Sequence, residues 1–196
     1  MIKANFIIEN PLTHSSTKVI ESDQETNGMG WLLEVTCQPK SKPDIKEHIH
    51  LSWTETFTIM SGEAFYKVNG TERRASTGES FTVMPGQKHV HPWCAGNEPL
   101  VYTQKNEFDK HSPEAVQEVL GVFATVAALA REGKVNKDGL PKNPLQLAAT
   151  LRTLAKHGGY DASIPIGATK IISGTLGKLA ELLGYQGVYS RYLENQ

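Results

Sequence analysis

The fold prediction for this chain rests on one stretch, 47-EHIHLSWTE-55. Successive side chains of an extended strand alternate between its two faces, so His48 and His50 are expected to point the same way. Glu55 follows after four intervening residues and opens the next run of strand-forming residues. Two imidazoles and one carboxylate are therefore predicted to converge from neighbouring strands.

A second stretch, 84-MPGQKH-89, adds His89 directly after a Pro-Gly turn at the end of another strand-like run. Three imidazoles and one carboxylate that reach one side of a barrel from separate strands are typical of a first-row transition-metal site. His91 shares the face of His89 by alternation, but Pro92 is expected to interrupt the strand behind it. We therefore predict His91 to be a rim or surface residue and not a further ligand.

With these residues the sequence resembles the cupin family of small β-barrel proteins, which share two short motifs. The first motif, G-x5-H-x-H-x(3,4)-E-x6-G, is matched by both histidines and the glutamate of the first stretch and by Gly62. The second motif, G-x5-P-x-G-x2-H-x3-N, is matched at Gly78, Gly86 and His89. The similarity covers about residues 30 to 108.

Three positions depart from the cupin motifs: Lys42 replaces the first glycine, Met84 the proline and Trp93 the asparagine. None of them is a ligand position. The resemblance therefore implies a barrel that holds one divalent transition metal (Fe, Mn, Ni, Co or Zn) through the residues His48, His50, Glu55 and His89. The departures leave the subfamily, and with it the substrate, open.

Short strand-like runs separated by glycine-containing turns support an all-β sandwich or barrel. They cover residues 31–37, 55–60, 64–68, 71–75, 80–84, 90–93 and 100–103. Asn69-Gly70 is the strongest hairpin signal among the turns, because both central residues of such a turn take positive φ. Near the N-terminus, residues 6–8 are a candidate edge strand, and the segment rich in Thr and Ser after Pro11 is expected to be a loop. The interior of a small barrel can hold one small ligand.

Helical periodicity replaces the strand pattern from Ser112 onward. We predict helices over about 112–133, 143–158 and 166–183, with Pro113 and Pro144 at their first turns. The chain is thus divided into a mainly β, cupin-like barrel (a double-stranded β-helix or jelly roll) at 1–110 and a three-helix extension at 111–196. The apolar helix faces must be covered, and packing on the barrel, a second subunit, a lid role and a membrane surface stay open.

Composition and charge limit the function classes. The 196 residues carry a net charge of −1 without a continuous basic face, so nucleic-acid binding has no electrostatic support. The N-terminus lacks a signal-peptide pattern, and no run approaches the roughly 18 apolar residues of a membrane span. Two cysteines, Cys37 and Cys94, are too few for a disulfide scaffold and are expected to be free thiols. We expect a cytoplasmic protein for which membrane association is the less favoured alternative.

The expected function is that of a metal-dependent cupin acting on a small organic molecule. A dioxygenase-type oxidoreductase, assembled as a homodimer, is favoured, with Glu55 both ligand and candidate catalytic base. Two alternatives stay open: a non-redox cupin enzyme (an isomerase, lyase or decarboxylase), and a metal-containing protein that binds a small molecule without turnover.

Overall fold

A computed structural model describes residues 1–43 and 45–193 of the chain. Ten strands precede the first helix: β1 Ile7–Asn10, β2 Ser15–Glu21, β3 Gly30–Cys37, β4 His48–His50, β5 Trp53–Ser61, β6 Glu63–Val68, β7 Thr71–Ser76, β8 Ser80–Val83, β9 His89–Cys94 and β10 Leu100–Phe108. An eleventh, β11 Gly159–Asp161, follows the second helix. The strands form a six-stranded sheet in the order β1-β2-β3-β10-β5-β8 and a five-stranded sheet in the order β11-β4-β9-β6-β7. The predicted mainly β, cupin-like fold class is confirmed.

The two sheets face each other across one hydrophobic core, because the strands alternate inward and outward side chains. Along β10, Tyr102, Gln104, Asn106 and Phe108 are buried while the residues between them are partly or fully exposed. The hairpin predicted between β6 and β7 is present, and Asn69 and Gly70 have φ values of 50° and 80°.

Strand β2 occupies the segment for which the sequence predicted a loop, and that prediction is wrong. The strand pairs with β1 on one side and with β3 on the other, where Thr17 lies opposite Val35. Ser15 and Val19 are buried in this position. The polar composition of this segment gives no strand signal, because β2 is stabilised by pairing with β1 and β3 and not by local strand propensity.

Strand β9 runs through Pro92, so the expectation that this proline interrupts the strand is also wrong. Phe65 of β6 lies opposite Trp93 of β9, whereas Lys67 lies opposite Val90, which leaves two residues of β9 facing the single residue Tyr66. Such a bulge releases one residue from the ladder, and a proline there loses no hydrogen bond. The strand therefore carries His91 into the interior.

The predicted helices are present as α1 Pro113–Arg131, α2 Pro144–Lys156, α3 Ile166–Ile172 and α4 Lys178–Leu182, the last two joined by a π-helical turn, Ser173–Gly177. Asn143 caps α2 by accepting hydrogen bonds from the backbone N–H groups of Leu145 and Gln146. A short 3-10 turn, Ser190–Tyr192, follows α4, and the hydroxyl of Tyr189 just before it donates to Gln146 of α2.

The helical region is joined to the barrel in two ways. Strand β11 pairs with β4, so that Gly159 lies opposite His50 and Asp161 opposite His48. Helix α1 contributes Val116 and Leu120 to the same core cluster as the barrel residues. Within the described residues, α1 is also long and apolar enough to cross a bilayer by length and composition, but 61% of that window is buried in the fold. This degree of burial is typical of a helix that packs in a protein core.

Candidate metal centre

Three strands from the two facing sheets bring five metal-competent side chains together. Strand β4 supplies His48 and His50, β5 supplies Glu55, and β9 supplies His89 and His91. His48 and His89 are direct cross-strand partners. His50, Glu55, His89 and His91 are between 0% and 2% exposed, whereas His48 is half-buried. All four residues predicted from the sequence lie in this cluster, and the structure adds His91.

The Oε2 atom of Glu55 lies at the centre of the cluster. It is 2.8 Å from Nε2 of His89 and 3.4 Å from Nε2 of both His50 and His91. One donor atom each from His48, Glu55, His89 and His91 lie within 4.8 Å of one another, a set that could hold one metal ion. His50 lies beside this set, with its ring stacked on Trp53 at 4.6 Å between centroids.

Backbone carbonyls orient two of the imidazoles. The Nδ1 atom of His48 lies 2.9 Å from the carbonyl oxygen of Lys46, and that of His89 lies 3.0 Å from the carbonyl oxygen of Gln87. A carbonyl only accepts hydrogen bonds, so Nδ1 of each ring carries the proton and Nε2 is the atom directed at the cluster, where it would be the ligand atom for a bound metal. This is the tautomer that a metal ligand needs.

The other oxygen of Glu55, Oε1, is held by three N–H donors. The amide of Asn106 donates at 2.6 Å, while the amide of Gln104 and the indole of Trp53 donate at 3.2 Å each. Gln104 also donates to Asn106 Oδ1 at 3.0 Å. Three donors to one oxygen fix the carboxylate plane and leave only Oε2 directed at the histidines.

The charge state of the cluster follows from these contacts. Burial opposes ionisation of Glu55, but the charge of His91 and the close approach of the His50, His89 and His91 imidazoles outweigh it and hold the carboxyl pKa well below its ordinary value of 4.5. Burial, reinforced by His89 and His91, lowers the pKa of His48 well below 6.5. An ionised carboxylate beside a neutral imidazole is the protonation pattern that binds a cation.

A further observation, on His50, supports the fit of this donor set to a divalent transition metal. Neither ring nitrogen of His50 has a hydrogen-bond partner among the described residues, although the ring is fully buried. Burial of an unsatisfied polar atom is costly, and a bound cation would satisfy Nε2 of this ring. Mixed imidazole and carboxylate ligands suit Fe, Mn, Ni, Co or Zn and do not choose among them.

Sequence reasoning missed His91, Gln104 and Asn106 as members of the site. For His91 the signal was its alternation with His89, which was set aside because of Pro92. For the two amides the signal was their alternation with Leu100, Tyr102 and Phe108, which places them on one face of a strand that is longer than the residues predicted to form it. Their role became visible only when β10 was placed beside β5, where Asn106 lies directly opposite Glu55.

A chamber of about 180 Å³ extends from the cluster to the appended helices. Its floor includes Glu55, His91 and Gln104, and its walls are mainly apolar side chains of β3, α1 and α2. Lys46 and Asp138, whose side chains are 44% and 37% exposed and 3.2 Å apart, lie at its outer end. The helices thus roof the end of the barrel at which the histidines lie.

The barrel region is similar in sequence to a known protein family. Residues 34–104 match the family model described as the cupin domain. No curated protein matches the sequence.

Several solved structures are similar to this chain. A predicted oxalate decarboxylase from Thermotoga maritima is 18% identical, with 48% of this chain and 80% of that chain covered and a TM-score of 0.45. A protein of unknown function with a double-stranded β-helix domain from Klebsiella pneumoniae is 23% identical, with 48% and 77% covered and a TM-score of 0.41. A cupin-superfamily sugar phosphate isomerase from Silicibacter pomeroyi is 12% identical, with 49% and 60% covered and a TM-score of 0.43.

Proposed function

Residues 34–104 of this chain form a cupin domain, and on that premise we propose that the protein is a metal-dependent dioxygenase acting on a small, largely apolar organic molecule. Imidazoles of the cluster, together with Oε2 of Glu55, would hold the metal. The observation that carries the proposal is the position of the buried cluster at the floor of a mainly apolar chamber.

The chamber favours this chemistry over that of charged substrates. Apolar walls favour dioxygen and an apolar organic molecule, because both lose little on leaving water. A sugar phosphate or a small dianion would instead have to give up its hydration against aliphatic side chains of α1 and α2. The apolar lining therefore supports an oxygenase more than an isomerase or decarboxylase of such anions.

Each residue of the site has a defined part in this proposal. A bound redox-active metal would supply the activation of dioxygen and the attachment point for the substrate. His48 and His89 would bind it through Nε2, because their Nδ1 protons are committed to carbonyls. The walls keep bulk water away from the reacting atoms, where electrostatic interactions are consequently stronger.

Glu55 is better suited to act as a fixed ligand than as a general base. Its low pKa makes it a weak base, and three donors to Oε1 oppose the rotation that release from the metal would need. A proton acceptor of the reaction would instead come from an imidazole that the metal does not engage. His50 and His91 are the candidates, since the cluster holds more imidazoles than a three-histidine, one-carboxylate site uses.

Metal content is the first test. Elemental analysis of protein purified without added metal or chelator should find about one transition-metal ion per chain. His89→Ala and Glu55→Ala should lose it, while His14→Ala, a histidine remote from the cluster, should retain it. Wild-type protein that binds no metal after reconstitution, or ligand variants that bind as well as wild type, would contradict the assignment.

Oxygen consumption is the second test. Fe(II), Mn(II), Ni(II) and Zn(II) forms would be compared in an oxygen electrode with a panel of small enols, diketones, thiols and phenols, and products of active pairs would be analysed after reaction in ¹⁸O₂. Incorporation of both labelled atoms with a redox-active metal supports the dioxygenase. Oxygen-independent conversion that Zn(II) sustains equally would replace it with a non-redox enzyme, and saturable binding without turnover in any metal form would indicate a binding protein.

A further inference from the structure

The chamber is composite: the cupin barrel supplies its floor, and the appended helices supply much of its wall. From α1 come Val119, Phe123, Val126, Ala127 and Ala130, and from α2 come Leu147, Leu151 and Leu154. The α1 residues recur at spacings of three and four and form one continuous face of that helix. The helices lie outside residues 34–104, so this half of the chamber is not part of the cupin domain.

The α1 face is open enough for an occupant. Phe123, Val126 and Ala130 are only half-buried, although they point into the fold between the helix and the barrel. Apolar side chains that line an interior space without filling it forgo contacts that a close-packed core would make. An apolar molecule in the chamber would supply those contacts.

We infer that this chamber binds a single-ring aromatic or short branched aliphatic molecule whose one oxygen-bearing head group points to Glu55 and His91, and that helices α1 and α2 select its size. The inference rests on the proposed function for the role of the head group and specifies the substrate class of the same site.

The volume of the chamber sets the size of the occupant. At about 180 Å³ it slightly exceeds the dry cavity of about 150 Å³ that is known to accept benzene. A substituted benzene ring or a branched chain of similar volume fits, whereas two fused rings do not. The polar end also orients the ligand, because Glu55, His91 and Gln104 occur together at the inner end, opposite the apolar face of α1.

The head group has a charge preference that depends on the metal. Without a metal, the floor presents the carboxylate of Glu55, which repels an anionic head and accepts a hydrogen bond from a hydroxyl group. With a divalent ion at the cluster, the local charge becomes positive and an anionic oxygen is favoured. Alcohols should therefore bind both forms, and carboxylates only the metal-loaded form.

Isothermal titration calorimetry with benzyl alcohol, benzoate, 1-naphthylmethanol and glucose 6-phosphate tests the inference on metal-loaded and chelator-treated protein. Benzyl alcohol should bind both forms, benzoate only the loaded form, and the fused-ring alcohol and the sugar phosphate neither. Absence of benzyl alcohol binding to both forms, or stronger binding of the sugar phosphate, would overturn the inference. If no metal binds but benzyl alcohol still does, the metal function fails while the chamber assignment stands.

Matched substitutions locate the binding. Ala130→Phe fills the chamber from α1 and should weaken benzyl alcohol binding at least about tenfold, whereas Ala155→Phe makes the same change at a half-buried α2 position that does not line the chamber. Phe123→Ala enlarges the chamber and should admit 1-naphthylmethanol. Equal weakening by both phenylalanine variants, together with no gain by Phe123→Ala, would place the ligand elsewhere. Far-UV circular dichroism and chelator-dye metal titration of each variant show that the fold and the metal site are intact.

Discussion

Replacement of Asn106 by alanine should weaken both the fold and the metal site, because this amide holds Glu55 in place. Asn106 is 1% exposed, donates to Glu55 Oε1 at 2.6 Å and accepts from Gln104 at 3.0 Å. A hydrogen bond to a charged group contributes about 1.5–3 kcal/mol and a neutral one about 0.5–1.5 kcal/mol. Loss of both should lower the free energy of unfolding of the metal-free protein by about 2–4 kcal/mol.

Metal affinity should fall in the same variant by about 10–100-fold, the usual effect of removing a partner of a metal ligand. The remaining donors to Oε1, from Gln104 and Trp53, are longer at 3.2 Å and would not hold the carboxylate as firmly. Urea unfolding of chelator-treated protein and competition with a chelating dye measure the two effects separately.

Two companion variants make the test specific. Lys105→Ala changes an exposed neighbour on the same strand and should alter unfolding by no more than about 0.5 kcal/mol and leave metal affinity unchanged. Asn106→Asp keeps the shape but sets a second carboxyl group against Glu55, and should be worse than alanine for the metal-free fold. If Asn106→Ala matches wild type within about 0.5 kcal/mol and twofold in metal affinity, the positioning role is refuted.

Three further predictions concern pH, truncation and thiols. Metal-free protein should lose stability as pH falls below about 6.5, because His48 is protonated at a higher pH in the unfolded chain than in the folded one. A second loss should follow below about 4.5, where Glu55 is protonated in the unfolded chain, and each group contributes a limiting slope of about 1.4 kcal/mol per pH unit. A urea midpoint that stays constant from pH 7 to 4 would contradict this. Removal of every residue after Asp109 deletes β11 and the core residues of α1, so the shortened chain should aggregate or unfold, and a stable, monodisperse product on gel filtration would show otherwise. Cys37 and Cys94 are buried and form no disulfide, so thiol titration should count two thiols per chain after denaturation, and both should react slowly in the folded protein. A count near zero after denaturation would indicate a disulfide.

The candidate metal site was largely predictable because its signal is local. The spacing of His48 and His50 within one strand, the position of Glu55 at the start of the next strand and the turn before His89 are properties of short segments. The hairpin at Asn69-Gly70 and the helix that begins at Pro144 after its Asn143 cap are local in the same sense. Each depends on the backbone preferences of a few neighbouring residues, which the sequence states directly.

The rest of the site depends on pairing between distant segments, which periodicity does not reveal. His91 enters the cluster only because a bulge opposite Tyr66 lets β9 continue through Pro92. Asn106 reaches Glu55 because β10 lies beside β5 in one register, and a shift by one residue would turn it to the opposite face.

Alternation and helical spacing along the chain were enough to predict a cupin-like barrel, four of the five clustered metal-competent residues and three amphipathic helices. The positions of the helices relative to the barrel were not predictable in this way. Strand β11 adds to the edge of the histidine-bearing sheet, and α1 and α2 come to lie over the cluster and enclose the chamber. The apolar face of an amphipathic helix shows that the helix must be covered, but it does not show which surface covers it. The hydrophobic effect is non-directional, so the packing partner depends on the complete tertiary structure.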